Sequence, residues 1–490
     1  MKKYTTIVCA FLCLWALLMS CSPEIKITGN LDILPTIYPD YQGVTLPPNI
    51  APLDFEVQSD ESGDWALQVI TSEKSYTIHA DNRLFTFDMK LWKELLSNNR
   101  GKELTLILCL KNDGQWKSCR PFTMNVAEEP IDPYLAYRLI PPGYSLWKDM
   151  GIYQRNLETF EETAVYKNRE GMGNCVNCHS FRERNPGQML LHMRSELPGT
   201  YIFMDGKKEK LDTKTDHTLS PLVYPYWHPS GDYVAFSVNK TFQVLHTRNQ
   251  NRIEVCDEAS DVLVYDINKH EVITTDLLSS GDMYETFPTF SPDGKFLYFC
   301  SALAVDSMPQ QFREIKYSLC RIPFDANNCR FGQSVDTLYN AQELGRSVSF
   351  PRVSPDGKLL VFTLSDYGNF SIWHKDADLY CVQLENGKIE PMEALNSDDV
   401  ESYHSWSSNS RWMVFSSRRE NGLYTQPYIA YVSEDGISYK PLLLPQRNPK
   451  TFYEAQQNAY NIPELVSGKI PYDSRDFSDF AHEAPAVQIK

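Results

Sequence analysis

Cys175, Cys178 and His179 are the residues of this 490-residue chain whose types and spacing carry the plainest chemistry. They stand in the run Asn174-Cys175-Val176-Asn177-Cys178-His179. Two thiols at this spacing reach the two vinyl groups of one porphyrin, and the histidine that follows supplies an iron ligand. The run therefore predicts one covalently attached haem c. Other readings of the same residues have less behind them. A redox dithiol would sit at a helix start in a β-α-β context, which is missing. A zinc site needs a second Cys or His pair nearby at similar spacing, and none follows. For the sixth iron position the expectation is His192, in the run Met189-Leu-Leu-His-Met193, with Met193 as the alternative. In a strand these two point to opposite faces, so only one of them reaches the metal. An open position, or a His192 that is simply packed in its strand, are the remaining options.

Haem c is attached outside the cytoplasm, and the N-terminus points there. Lys2 and Lys3 precede an apolar run, Ile7 to Met19, that is short for a membrane span of about 20 residues and reads as a signal segment over 1–21. It ends in Leu18-Met19-Ser20-Cys21, which resembles the lipobox of bacterial lipoproteins. The resemblance implies a lipidated Cys21 and a protein anchored to, rather than spanning, a membrane. The implied location is the cell envelope of a Gram-negative bacterium, at the periplasmic face or the cell surface of the outer membrane. In an oxidising compartment disulfides persist. Cys109 and Cys119 flank Asn112-Asp113-Gly114, a hairpin-turn signal. A three-residue loop over 113–115 would set these cysteines opposite each other within disulfide reach; the alternative is two unpaired buried thiols. Acidic residues number 63 against 47 basic ones, for a net charge of −16. With no basic stripe along the chain, nucleic-acid binding is excluded.

The elements that must position the motif are strands. Residues 22–53 are proline-rich and read as an extended tether. Over 54–126, short β patterns with one helical stretch, Leu91–Leu96, predict a small Ig-like β-sandwich. Residues 127–187, broken by Pro130, Pro133, Pro141 and Pro142, read as an irregular haem-attachment segment. A repeat follows. Tyr224-Pro-Tyr-Trp-His-Pro-Ser-Gly, Phe287-Pro-Thr-Phe-Ser-Pro-Asp-Gly, Phe350-Pro-Arg-Val-Ser-Pro-Asp-Gly and Tyr403-His-Ser-Trp-Ser-Ser-Asn-Ser align, each followed by an apolar strand and a second hairpin. Four strands per unit at this period predict a propeller.

These repeats resemble the WD-type blades of TolB-like β-propellers across residues 188–450. The resemblance implies an all-β chain with about five to six blades, one of which has its outer part in Met189–Arg194 and Gly199–Asp205. It implies nothing about activity. Residues 451–490 read as a tail that packs on the propeller or closes its ring. The resemblance to cytochromes c covers the Cys-x-x-Cys-His run alone, since β structure follows it in place of helices.

Departures from the repeat mark a second candidate site. His404 stands where other repeats have proline and His228 where they have serine; Glu285 and Glu401 precede the same positions. The innermost strand of a blade faces the channel, so His228, Glu285, Glu401 and His404 are candidates for a binding site at its mouth, against blade-specific packing as the plainer reading. The leading expectation is a lipid-anchored mono-haem protein that transfers electrons or senses redox state, the propeller docking an envelope redox partner or protein complex. The alternatives are a non-redox propeller scaffold of an envelope complex and, ranked last, a propeller enzyme acting on a peptide or glycan through Glu401 and His404.

Overall fold

The computed structural model describes residues 25–141, 144–170, 174–216, 218–247 and 251–490. The signal segment and Cys21 lie outside the described residues. Nearly all regular structure is strand, and the chain divides into two units.

The first unit holds Pro52–Val126, Gln446–Tyr453 and the described residues up to Gly43. Its long strand Glu103–Asn112 alternates buried and open positions, as a sheet with one covered face requires. That strand pairs with Asp64–Ile70 on one edge and with Gln115–Ser118 and Phe122–Val126 on the other. A second sheet joins Ile37–Tyr38, Phe55–Val57 and Leu84–Phe85. Between the strands a helix, Met89–Asn98, starts where the Asp88 side chain accepts from the amides of Lys90 and Leu91, and it buries Trp92, Leu95 and Leu96.

Two expectations for this region need correction. The described part of the predicted tether, 25–53, is not free: Ile27–Asn30 pairs with Gln115–Ser118, Ile37–Tyr38 pairs with Phe55–Val57, and Tyr41 is fully buried. The prolines hold extended backbone that short edge strands accept. Cys109 and Cys119 are not opposite each other either. Asn112 pairs with Gln115, so the loop is the two residues Asp113 (φ 51°) and Gly114 (φ 78°), both left-handed as a type I′ turn demands. That register sets Cys109 against Ser118, and both thiols are free and buried.

The second unit, containing Ala127–Pro445 and Glu454–Lys490, is a closed β-propeller with six blades among the described residues. Blades 3 to 6 are the four sequence repeats. Their innermost strands are Val223–Trp227, Met283–Phe290, Ser347–Val353 and Glu401–Trp406. Blade 2 is Cys175–Phe181, Gln188–Arg194, Gly199–Met204 and Lys207–Asp212, with Val487–Gln488 added at its outer edge. The segment 127–187 is therefore strand rather than irregular: Tyr134–Ile140, Gly151–Asn156 and Glu162–Lys167 form the outer part of blade 1. The innermost strand of blade 1 is Ala459–Val466, from the far end of the chain. Successive innermost strands touch all the way round, and Ala459–Val466 lies between Glu401–Trp406 and Cys175–Phe181, so the ring is fastened by joining its two ends. Apolar layers between blades hold it. Met189, Leu191 and Met193 pack towards blade 1, while Leu190 and Ile202 pack with Trp227 and Phe236 of blade 3.

Candidate functional site at the propeller axis

The Cys-x-x-Cys-His run forms the innermost strand of blade 2, at the wall of the axial channel. Each innermost strand carries a bulge at the same level. Tyr224, Phe287, Phe350, Tyr403 and Ile462 all have φ between 49° and 53°, a left-handed conformation that ordinary side chains rarely adopt. The following residue is Pro225, Pro288, Pro351, His404 or Pro463. Asn177 and Cys178 occupy the corresponding places in blade 2.

The bulge decides where the thiols go. Three residues apart on a regular strand, Cys175 and Cys178 would point to opposite faces. With Asn177 as an extra residue, Cys175 pairs with Arg194 and Cys178 with His192, two partners on one face of the neighbouring strand. Both thiols thus share a face. His179 pairs with Leu191 and turns the other way. Cys178 is buried and Cys175 partly open; burial raises the Cys175 thiol pKa, against the pull of Arg138 and Arg194.

His179 faces the channel with its side chain wholly buried, Nε2 lying 3.7 Å from Glu464 Oε1 on blade 1. Neither ring nitrogen has a partner at hydrogen-bonding geometry. Burial and the nearby Arg138 pull its pKa down to about 3, against a small lift from the Ile462 backbone, so the imidazole is neutral, the form that ligates a metal. Burial pushes Glu464 up to about 7, with Arg352 opposing. One residue past four of these five positions stand Tyr226, Arg352, Ser405 and Glu464, which with His179 line the channel. The cavity within these walls is ≈ 210 Å³, below the roughly 300–1,000 Å³ usual for a small-ligand pocket. At the level of the bulges the rings of Tyr224, Phe287, Phe350 and Tyr403 follow one another at centroid distances of 4.6, 4.1 and 4.7 Å. In donor type the residues fit a covalently attached haem: two thiols share one face of the strand, and a buried histidine stands on the other.

His192 and His179 are not brought together. His192 lies on the cysteine face, its Nδ1 3.1 Å from Thr200 Oγ1 and its Nε2 without a partner; burial lowers its pKa to about 3. Met193 pairs with Val176 and is sealed between blades 1 and 2. Among the described residues no three His, Cys, Asp or Glu side chains cluster as a ready metal site.

The four candidates for a site at the channel mouth also separate. His228 bonds Ser230 Oγ at 2.9 Å and the Gly294 carbonyl at 3.1 Å, inside the turn layer between blades 3 and 4. Glu401 is fully buried and accepts from Ser397 Oγ, Ser417 Oγ and Arg419 Nη2 at 2.7, 2.8 and 2.9 Å. Glu285 is buried beside Asp261, and desolvation raises it to about 8. His404 alone lines the channel, and its Nε2 donates to the Val361 carbonyl at 2.9 Å. Glu401 and His404 are thus each held by other partners. Arg352 and Glu464 were missed. Their signal was present: Ile462-Pro463-Glu464 continues the Phe-Pro-x pattern into the tail.

No family model matches the chain, and no curated protein matches it. Among solved structures the chain is similar to Kuenenia stuttgartiensis hydrazine synthase (TM-score 0.44, 13% identity, 70% of this chain and 48% of that one). It is also similar to prolyl oligopeptidase B from Galerina marginata (TM-score 0.36, 11% identity, 64% and 44%). A third likeness is to a DUF4784 family protein from Bacteroides caccae ATCC 43185 (TM-score 0.30, 7% identity, 74% and 96%). The chain spans about half the length of the hydrazine synthase chain it matches.

Proposed function

We propose that the chain is a lipid-anchored c-type haem protein of the cell envelope, carrying one haem on Cys175 and Cys178 with His179 as an iron ligand. Its role is to pass electrons to, or sense the redox state of, a partner docked on the propeller. The observation that supports this reading most is the bulge at Asn177, which puts both thiols on one face of the strand, with the buried His179 following on the other face. A bound haem supplies one-electron chemistry. The chain's own residues would orient and shield it: Tyr224 and Tyr403 lie near Cys178, and burial raises the Glu464 carboxyl beside His179 Nε2 to about 7.

The test is expression in a host with haem c machinery. The wild-type chain is expected to show a reduced α-band and one haem's added mass; Cys175→Ala/Cys178→Ala is expected to show neither. His179→Ala should keep the covalent haem and change its spectrum. A wild-type chain without haem from a competent host contradicts the proposal.

A further inference from the structure

The opposite mouth of the channel, where the innermost strands begin, gathers arginines in a chain of net charge −16. Arg194 stands across from Cys175, at the start of blade 2's innermost strand. Arg138 pairs with Asn461, the residue before the bulge of blade 1, and is buried. Arg418 follows the strand Trp412–Ser417, whose last residue pairs with Glu401 at the start of blade 6's innermost strand. Strand register therefore brings all three to one end.

Arg418 is the telling member. It is 3% exposed, and its Nε has no hydrogen-bond partner. Its guanidinium carbon sits over the Trp373 ring, 3.1 Å from the ring centroid. The nearby carboxylate, Asp399, is shared with Lys375 Nζ at 3.6 Å. Asp257, at the same end, is taken up by Tyr317 Oη at 2.7 Å and Asn369 Nδ2 at 2.6 Å. Burial, with Arg252 adding like charge, lowers the Arg418 pKa to about 9. A buried cation whose donors are incompletely used is costly unless an anion completes it. Trp373 covers one face of the guanidinium, so the in-plane edge is what it can offer, and two coplanar donors match the two oxygens of a carboxylate.

We propose that this mouth is a carboxylate-binding site, with Arg418 as the buried fork and Arg138 and Arg194 as flanking charges. The site does not depend on the haem reading. The propionates of a haem on Cys175 are one source of carboxylate, and a free dicarboxylic acid is the other.

Calorimetric titration of the haem-free full-length chain with succinate tests it. Saturable binding is expected, weakened at least ten-fold in Arg418→Lys, which keeps charge and loses the fork. Arg194→Gln, a surface change that leaves the core intact, is expected to weaken it several-fold, so the proposal remains testable if Arg418→Lys does not fold. Repeating the titration on haem-loaded protein separates the sources. Succinate binding lost on haem loading assigns the site to the propionates; binding retained assigns it to a free acid. No saturable binding by the haem-free wild type, unchanged affinity in folded Arg418→Lys, or tighter binding of inorganic phosphate than of succinate each overturns the proposal. Failure of the haem reading registers separately, as missing covalent haem.

Discussion

At the scale of single residues, spacing suggests a chemistry but does not fix the geometry around it. Cys175, Cys178 and His179 stand out because few other patterns need two thiols and a histidine so close. Their shared face and the opposed His192 depend on one extra residue at Asn177, which no property of its side chain reveals. The same holds for Cys109 and Cys119, where a two-residue turn instead of three moves the pairing by one place. Buried titratable groups are likewise invisible to spacing. Glu285 illustrates the consequence: its folded pKa is about 8 against an ordinary 4.5. Across that window the folded chain holds more protons than the unfolded one, so stability falls as pH rises through it. Glu285→Gln is expected to melt close to wild type at pH 4 and to be more stable at pH 8.5, by on the order of 3 kcal/mol. Equal differences at both pH values in thermal melts would show that Glu285 is not held protonated.

At the scale of elements, the repeat was legible because turn chemistry and a buried strand recur together. Pro-Asp-Gly followed by an apolar run, as in Pro292-Asp-Gly-Lys-Phe-Leu-Tyr-Phe, fixes both the turn and the second strand of a blade. Blade 1 was not legible. Its outer strands sit among prolines and aromatics that mimic a loop, and its innermost strand is separated from them by about the length of the whole propeller. Such long-range pairing leaves no local trace. It has a mechanical consequence: Ala459–Val466 fastens the ring, with Tyr460, Leu465 and Val466 buried. Truncation after Ala455 is expected to expose blade 1 and the blade 6 face, giving a lower melting temperature and rapid proteolysis within 134–167. A truncated chain as resistant as the full one would show that the ring closes without this strand. In the first unit, Gly114 at φ 78° is the residue its turn needs most, and Gly114→Val should cost on the order of 1 kcal/mol in denaturant unfolding.

At the scale of the whole molecule, fold class and charge were readable while activity was not, because propellers present a common frame to unrelated chemistries. The acidic composition, with a net charge of −16, argues against a nucleic-acid binder. If Cys21 carries the anchor, Cys21→Ser should move the protein from the membrane to the soluble envelope fraction while leaving the Cys175–Cys178 site intact. Continued membrane association of that variant would contradict the anchor. The central claim is that the channel wall carries a covalent haem, and a pyridine haemochrome spectrum with intact mass, on protein purified from a haem-c-competent host, tests it most directly. The account predicts a c-type spectrum and the added mass of one haem per chain. An unmodified mass and no haem absorption would contradict it, leaving a propeller scaffold whose Cys175 and Cys178 have another role.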